Sequence, residues 1–140
     1  MRVEFFMARA LELARQAAEA GEVPVGALVV SPAGAIIAEG QNRMCRDADP
    51  GAHAEVLALR AACAYIKGTE SVARLEGCTL FSTLEPCTMC AGAAVLYRVS
   101  RIIYGAADPR AEETVLPVAC GGIMEKESQM LLADFFKNRR

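Results

Sequence analysis

Apolar residues recur every three or four positions in several parts of the chain, which predicts four helices. The first covers residues 3–20, where charged residues occupy the opposite side and Gly21 follows as a stop signal. The second covers residues 53–66, after a polar loop at residues 40–51. The third covers residues 86–97, with Pro86 at its first position, where the missing N–H has no intrahelical acceptor. A last helix is predicted over residues 126–137.

Short apolar runs between these helices predict strands. Residues 25–30 and 35–39 flank a turn at residues 31–34, which predicts an antiparallel hairpin. Residues 78–83 and 101–105 flank the third helix, and such a crossover joins parallel strands. A further edge strand is predicted over residues 115–119. The order predicts an α/β protein, a three-layer α/β/α sandwich around a mixed sheet of about five strands.

The composition fits one domain spanning residues 1–140. The chain is too short for two large domains, and no apolar run approaches the roughly 20 residues that a membrane span needs. The N-terminal segment carries charges where a signal peptide is apolar, so we expect a cytoplasmic location. The net charge of −2 excludes a globally basic, non-specific nucleic-acid binder but leaves room for local basic patches.

Cysteines in a reducing compartment rarely form disulfides. We therefore predict that Cys45, Cys63, Cys78 and Cys120 are small buried hydrophobic residues.

Two short motifs carry the chemistry: H-A-E at residues 53–55 and P-C-T-M-C at residues 86–90, each at the start of a predicted helix. Cys87 and Cys90 are three residues apart, so both sulfurs project from one first turn, where the helix dipole lowers thiol pKa and favours metal-binding thiolates. His53, the single histidine, supplies a third ligand. Three protein ligands leave a position open for water, as in catalytic zinc sites.

Glu55 lies two residues after His53, close enough to reach that water without coordinating the metal. It is therefore the candidate proton carrier. Two other interpretations are a redox dithiol formed by Cys87 and Cys90 and a non-catalytic, zinc-stabilised binding module. Neither gives Glu55 a role.

The combination H-x-E and P-C-x-x-C is the signature of the zinc nucleobase deaminases. The chain resembles the cytidine/deoxycytidylate deaminase superfamily. Within it, the chain is similar to the bacterial tRNA adenosine deaminases, which convert the wobble adenosine to inosine. The matching segments are E-V-P-V-G-A at residues 22–27, G-A-H-A-E at 51–55, T-L-E-P-C-T-M-C-A-G-A at 83–93 and F-F at 135–136.

The resemblance implies a cytidine deaminase-like fold, one Zn²⁺ per chain held by His53, Cys87 and Cys90, and hydrolytic release of ammonia. It implies that Glu55 carries the water proton to the ring nitrogen and then to the leaving amine. The backbone N–H of Ala54 would donate a hydrogen bond to the oxygen being installed.

The resemblance also implies substrate contacts and an assembly. Asn42 corresponds to a base-binding asparagine, although asparagine in such a loop is also a common turn residue. Val25 and Ala52 either wall the base pocket or pack in the core. A homodimer is implied, with the small apolar residues 91–95 at its interface.

The segment after Asp108 departs from the tRNA-editing members, because residues 109–122 are shorter and more acidic than their K-T-G-A-A-G-S-like loop. Two substrates therefore stay open: a tRNA anticodon loop, or a free nucleobase or nucleoside such as cytosine, guanine or a modified purine. Phe135 and Phe136 either contact the surroundings of a flipped nucleotide or anchor the last helix. Phosphate contacts, or simply a solvated surface, are assigned to Arg98, Arg101, Arg110, Lys137, Arg139 and Arg140.

Overall fold

The computed structural model describes residues 1–67, 74–111 and 118–138. The helices are α1 (Val3–Glu19), α2 (Ala54–Ile66), α3 (Thr88–Leu96) and α4 (Glu125–Lys137). The strands are β1 (Gly26–Val30), β2 (Ile36–Gln41), β3 (Thr79–Leu84), β4 (Arg101–Ala106) and β5 (Val118–Cys120). In these described parts of the chain, no helix has the length and apolar character needed to cross a bilayer.

The five strands form one mixed sheet in the order β2-β1-β3-β4-β5. Strand β1 pairs antiparallel with both β2 and β3, so the predicted hairpin is confirmed. Strands β3, β4 and β5 run parallel, which confirms the predicted crossover through α3. Because β3 and β4 are parallel, the residues that follow them emerge at the same edge of the sheet.

Helices cover both faces of the sheet, so the predicted three-layer sandwich is confirmed. Leu28 and Val30 of β1 pack on the same side as Phe6 and Met7 of α1. Their neighbour Val29 packs on the other side in the core that includes residues of α2 and α3. This alternation follows from the two-residue period of a strand, and it makes β1 fully buried.

Two glycines let helices lie directly against the sheet. A Cβ on Gly26 would stand 2.0 Å from the carbonyl oxygen of Ala10 in α1. A Cβ on Gly40 would stand 2.4 Å from the carbonyl oxygen of Ala54, the first residue of α2. Only glycine allows this closeness, so Gly40 fixes where the N-terminus of α2 lies against β2.

Helix α3 begins later than predicted. Cys87 is its N-cap, with the extended backbone angles φ −70° and ψ 173°, so Pro86 lies before the helix rather than at its first position. The backbone is still extended at Cys87, three residues after the end of β3. Pro86 indicates that a helix begins nearby, but it does not fix the residue at which the helix starts.

The edge strand and the cysteines also differ from expectation. Strand β5 lies at residues 118–120, whereas residues 115–117 of the predicted strand lie outside the described residues. Burial is correct for Cys78, partial for Cys63, and wrong for Cys45 and Cys120, which are exposed. Cys120 is exposed because every residue of β5 is, and Cys45 lies in the loop before α2.

Candidate active site

Two helix N-termini bring the metal-ligand candidates together. His53 is the N-cap of α2, with extended φ −79° and ψ 147°, and Cys87 is the N-cap of α3. Cys90 follows in the first turn of α3 and is fully buried. Strand β3 directs α3 to this edge, while Gly40 seats α2 beside it. Residues separated by more than 30 positions in the sequence therefore meet at one point.

The geometry of the cluster fits zinc. The Nδ1 atom of His53 lies 3.5 Å from the Sγ atom of Cys87 and 3.4 Å from the Sγ atom of Cys90. All three ligand atoms lie within 4.8 Å of one another. Tetrahedral zinc with ordinary Zn–N and Zn–S bonds places nitrogen and sulfur about 3.5 Å apart. The donor set and the spacing thus match, with Nδ1 as the coordinating nitrogen.

The thiol of Cys90 does not behave as its helix position alone predicts. Burial first, and then the neighbouring charges of Glu55 and Cys87, raise its pKa far above the ordinary value. The prediction of a pKa lowered by the helix dipole is therefore wrong for Cys90, because desolvation outweighs the dipole. A coordinating cation supplies the charge that ionises the thiol, so metal binding should release protons.

Glu55 faces the same cluster from the first turn of α2. Its side chain is buried, with 4% of the residue exposed. Burial raises its pKa to about 7, and hydrogen bonds from its own backbone N–H and the Cys90 thiol oppose the rise only partly. Such a carboxyl group can hold or release a proton near neutral pH, as a general acid and base must.

The cluster opens onto a cavity of about 420 Å³, within the range of pockets that bind small ligands. His53, Ala54, Glu55 and Cys87 line one part of the cavity. Val23, Val25, Asn42 and Met44 line another part, which we call the base wall. The remaining lining residues come from the carboxyl ends of β3 and β4 and from α4: Leu84, Glu85, Asp108, Arg110 and Phe136.

Asn42 lies directly after β2 and is buried in the base wall. Its Nδ2 atom donates a hydrogen bond to the carbonyl oxygen of Val23 at 3.3 Å, which fixes the orientation of the amide. Its Oδ1 atom is buried and has no hydrogen-bond partner among the residues that the structure describes. An unpartnered buried acceptor costs about 1–3 kcal/mol unless a ligand satisfies it. Asn42 is therefore poised to accept a hydrogen bond and to donate one with its second N–H.

The other predicted substrate contacts divide. Val25 and Ala54 line the cavity, and the N–H of Ala54 is in the first turn of α2, where the helix itself offers no acceptor. Ala52 is buried just before His53, and its carbonyl oxygen accepts a hydrogen bond from the Arg43 N–H at 3.0 Å. It is not among the cavity-lining residues.

Sequence reasoning did not assign Met44, Glu85 or Asp108 to the cavity. Glu85 accepts a hydrogen bond from the Asp108 N–H at 3.0 Å. Burial pushes the pKa of Asp108 upward, but the hydrogen bonds and charge of Arg110 outweigh it and hold the pKa below its ordinary value. The signal for Glu85 and Asp108 was present, because each follows one of two parallel strands. Met44 has no comparable signal, since its place depends on loop conformation.

The structure separates the basic residues that were considered for phosphate contacts. Arg110 lines the cavity with an 85% exposed side chain, and Lys137 is the neighbour of Phe136, which is also at the cavity. Arg101 begins β4 and thus lies at the other end of that strand from Asp108. Arg98 precedes the same strand end. Arg139 and Arg140 lie outside the described residues.

The sequence of the chain matches the model of a known protein family. Residues 1–106 match the model described as the cytidine and deoxycytidylate deaminase zinc-binding region. The chain belongs to this family. The matched range contains His53, Glu55, Cys87 and Cys90. The three candidate metal ligands therefore lie within the zinc-binding region that the family model describes.

Some curated relatives are about as long as this chain, and others are several times longer. The chain is 41% identical to the tRNA-specific adenosine deaminase of Haemophilus influenzae over 98% of this chain and 84% of that protein. It is 46% identical to the tRNA(Ile)-lysidine synthase of Deinococcus deserti over 96% of this chain. The chain spans only 27% of that synthase and 19% of the one from Deinococcus radiodurans.

Solved deaminase structures share the fold. One, from a study of A-to-I editing by tRNA:A34 deaminases at the wobble position, superposes with a TM-score of 0.82 at 38% identity, covering 91% of this chain and 99% of that chain. A guanine deaminase from Bacillus subtilis superposes with a TM-score of 0.69 at 34% identity, covering 99% and 95%.

The buried carboxyl group of Glu55 makes stability depend on pH. In chelator-treated protein, its folded pKa of about 7 exceeds the usual 4.5, so stability falls as pH rises from 4.5 to 7 and is constant above. We expect Glu55→Gln to be more stable than wild type above pH 7 by about 3 kcal/mol at most, and the advantage to shrink toward pH 4.5. Urea unfolding of both metal-free proteins at several pH values measures this.

The matched control is Glu12→Gln, which removes a carboxylate from the exposed pair with Arg15 on α1. It should follow the wild-type pH dependence. A constant difference between Glu55→Gln and wild type at all pH values would contradict the assignment.

Proposed function

We propose that this protein is a zinc-dependent hydrolytic deaminase that converts adenosine to inosine at the wobble position of tRNA. The observation that carries the proposal is the position of Glu55, buried in a cavity beside three metal ligands. A purely structural zinc site has no use for a buried carboxyl group, and a redox dithiol has no use for His53 or Glu55. Water and adenosine would yield inosine and ammonia.

Bound Zn²⁺ supplies Lewis acidity that makes water nucleophilic near neutral pH. Glu55 takes the proton of that water, delivers it to the ring nitrogen and later protonates the leaving amine. The N–H of Ala54 donates a hydrogen bond to the oxygen that replaces the amino group. These roles fit the geometry of the site, because Ala54, Glu55 and Cys87 line the same cavity.

Asn42 orients the base in this proposal. Its free Oδ1 and its second N–H offer one acceptor and one donor to a purine edge, while Val23 holds the amide in place. Val25 contributes an apolar wall against the ring. The role of Ala52 as a wall residue stays a prediction, and its position favours core packing.

The choice of a tRNA substrate rests on the relatives. Two of those named as tRNA-specific adenosine deaminases, from Haemophilus influenzae and Bacillus subtilis, align with 98% of the chain at 41% identity. The exposed Arg110 at the cavity supports contact with a phosphate group flanking the target nucleotide.

A free-base deaminase is the second candidate. The shorter segment after Asp108 favours it, as does the likeness to a guanine deaminase structure. The zinc ligands and the role of Glu55 would be the same in both candidates, so the difference lies in the substrate alone.

A homodimer forms part of the proposal. Apolar side chains stand exposed on α2 and α3, with Tyr65 70% and Leu96 77% exposed. Of the predicted interface residues 91–95, Ala91 and Ala94 are buried within the chain, whereas Gly92 and Val95 are exposed. The exposed face of α3 carries Met89, Gly92 and Leu96, and a Cβ on Gly92 would meet none of the described atoms within 4 Å. A second copy docking here would cover this apolar face. The single-domain organisation and the cytoplasmic location also stay predictions from sequence.

The substrate is tested by following ammonia release from a tRNA anticodon stem-loop with a wobble adenosine and, in parallel, from adenine, adenosine, guanine and cytosine. We expect the zinc-loaded protein to act on the RNA alone. Glu55→Gln should lower the rate by a factor of about 10²–10⁴, the usual contribution of general acid–base catalysis.

Glu12→Gln serves again as the matched control and should retain wild-type activity. Release from a small molecule alone would establish the second candidate. Equal activity of wild type and Glu55→Gln would contradict both candidates.

Arg110 and Arg101 provide a matched pair for the RNA contact. Arg110 is exposed at the cavity and Arg101 is exposed at the other end of β4. We expect Arg110→Ala to weaken stem-loop binding and to reduce the slope of log K against log salt concentration by about one unit, since one phosphate contact is lost. Arg101→Ala should change neither. Identical effects of the two variants in a salt titration would oppose an RNA contact at the cavity.

Leu96 and Met130 provide a matched pair for the assembly. Both are exposed apolar residues, Leu96 on α3 and Met130 on α4. We expect Leu96→Glu to convert a dimer into a folded monomer in sedimentation velocity experiments, because a charge would be buried at the interface. Met130→Glu should stay dimeric. A monomeric wild type would overturn this part of the proposal.

A further inference from the structure

The E-V-P-V-G-A segment of the sequence begins with a charged residue that the chemistry leaves without a role. Glu22 is 1% exposed and ranks among the largest fully buried side chains. It lies three residues after the end of α1. Gly21 before it takes the left-handed φ of 83°, and the Glu22 N–H donates to the carbonyl oxygen of Ala17 at 2.9 Å. A carboxylate is buried only where partners compensate for its lost hydration.

Among the described residues, the hydrogen-bond donors to the Glu22 carboxylate come from the loop of residues 42–50. Its Oε1 atom accepts a hydrogen bond from the Cys45 N–H at 3.0 Å, and its Oε2 atom accepts one from the Arg46 N–H at 2.8 Å. The Nε atom of Arg46 adds a third, at 3.2 Å. Burial alone would raise the pKa of Glu22, but these hydrogen bonds hold it below its ordinary value.

Arg46 carries this attachment on to the base wall. Its Nη2 atom donates to the carbonyl oxygen of Asn42 at 2.7 Å and to the side chain of Gln41 at 3.2 Å. Glu22 and Arg46 therefore link the end of α1 to the main chain of Asn42.

The residues just after Glu22 hold Asn42 from its other groups. The carbonyl oxygen of Val25 accepts the Asn42 N–H at 3.1 Å, and that of Val23 accepts its Nδ2 at 3.3 Å. Segment 22–25 thus binds the backbone N–H and the side-chain NH₂ group of Asn42 and, through Arg46, its backbone carbonyl group. Two residues further on, Met44 lines the same cavity.

Besides the contact of the Arg43 N–H with the Ala52 carbonyl oxygen, two further hydrogen bonds set the shape of the loop rather than its place. The Asp47 N–H donates to the carbonyl oxygen of Arg43 at 2.9 Å, and the Asp49 N–H donates to that of Met44 at 3.0 Å. Both are internal to the loop. The Glu22 carboxylate joins this turn to the rest of the fold with three donors at once.

We propose that Glu22 is a positioning residue for the substrate base, because its buried carboxylate fixes the loop that places Asn42 and Met44 in the base wall. The effect on catalysis rests on the proposed function, whereas the effect on the loop does not. Glu22 touches no reacting atom. It acts through Arg46 and Asn42.

The test is a double-mutant cycle with Glu22→Gln and Asn42→Ala. Values of kcat and KM are measured with the substrate from which the wild-type protein releases ammonia. The glutamine keeps the shape but presents an NH₂ group to one of the loop donors. We expect Glu22→Gln alone to raise KM about tenfold, equivalent to about 1.4 kcal/mol, with a smaller change in kcat. In the Asn42→Ala background it should add less than about twofold, because the two residues act in one chain of contacts.

The matched control is Glu39→Gln. Glu39 on β2 also binds a residue of α1, Arg9, in a partly exposed ion pair. Among the described residues, Glu39 is not part of the cavity lining and its side chain hydrogen-bonds to Arg9 rather than to the loop of residues 42–50, so KM and kcat should stay at wild-type values. If Glu22→Gln does not fold, Arg46→Gln breaks the same link at a side chain that is 28% exposed.

Hydrogen exchange followed by mass spectrometry reads the loop without using activity. We expect Glu22→Gln to lose protection in peptides covering residues 41–50 while peptides of α2 keep theirs. Unchanged exchange in the loop would overturn the proposal, as would equal effects of Glu22→Gln in the wild-type and Asn42→Ala backgrounds. If wild type deaminates nothing tested, the proposed function fails, and the exchange result alone decides the role of Glu22.

Discussion

The site depends on two helix N-termini meeting at one edge of a sheet. Helix α2 reaches this point because Gly40 has no side chain to hold the carbonyl group of Ala54 away from β2. Helix α3 reaches it because β3 ends three residues before Cys87, the extended N-cap residue of α3. His53 and Cys87 are both N-caps with extended backbone angles, so their side chains are free to turn toward a shared centre.

This convergence concentrates groups that destabilise one another. Glu55 and Cys90 are buried side by side, and burial raises the pKa of both. A divalent cation relieves the conflict, because its charge favours the thiolates and the carboxylate together. Burial, and not the neighbouring Cys90 thiol, gives Glu55 of the metal-free protein a pKa of about 7. Strain of this kind is typical of functional sites, where local stability is lower than packing alone would allow.

Much of this could be predicted from sequence, because it depends on short-range patterns. The helices follow from apolar periodicity, and the zinc ligands follow from residue types at fixed spacing near helix starts. The parallel pairing of β3 and β4 follows from the helix between them. The predicted start of α3 at Pro86 is wrong, since a proline indicates that a helix begins nearby without fixing its first residue.

The lining of the cavity could be predicted only in part. Val25 and Asn42 came from resemblance. Glu85 and Asp108 could have been found because each follows one of two parallel strands, whereas Met44 lines the cavity through the conformation of its loop. Burial of Glu22 runs against the rule that glutamate is exposed, and only its three donors in a distant loop explain it. Exposure of Cys45 and Cys120 likewise depends on a loop and an uncovered edge strand.

X-ray absorption at the zinc edge of the purified protein tests the central claim most directly. The account predicts one zinc per chain, bound by one nitrogen at about 2.0–2.1 Å, two sulfurs at about 2.3 Å and one further light atom from solvent. That coordination requires His53, Cys87 and Cys90 together with an open position facing the cavity. A zinc closed by four protein ligands, or a protein that binds no zinc with these three residues intact, would contradict it.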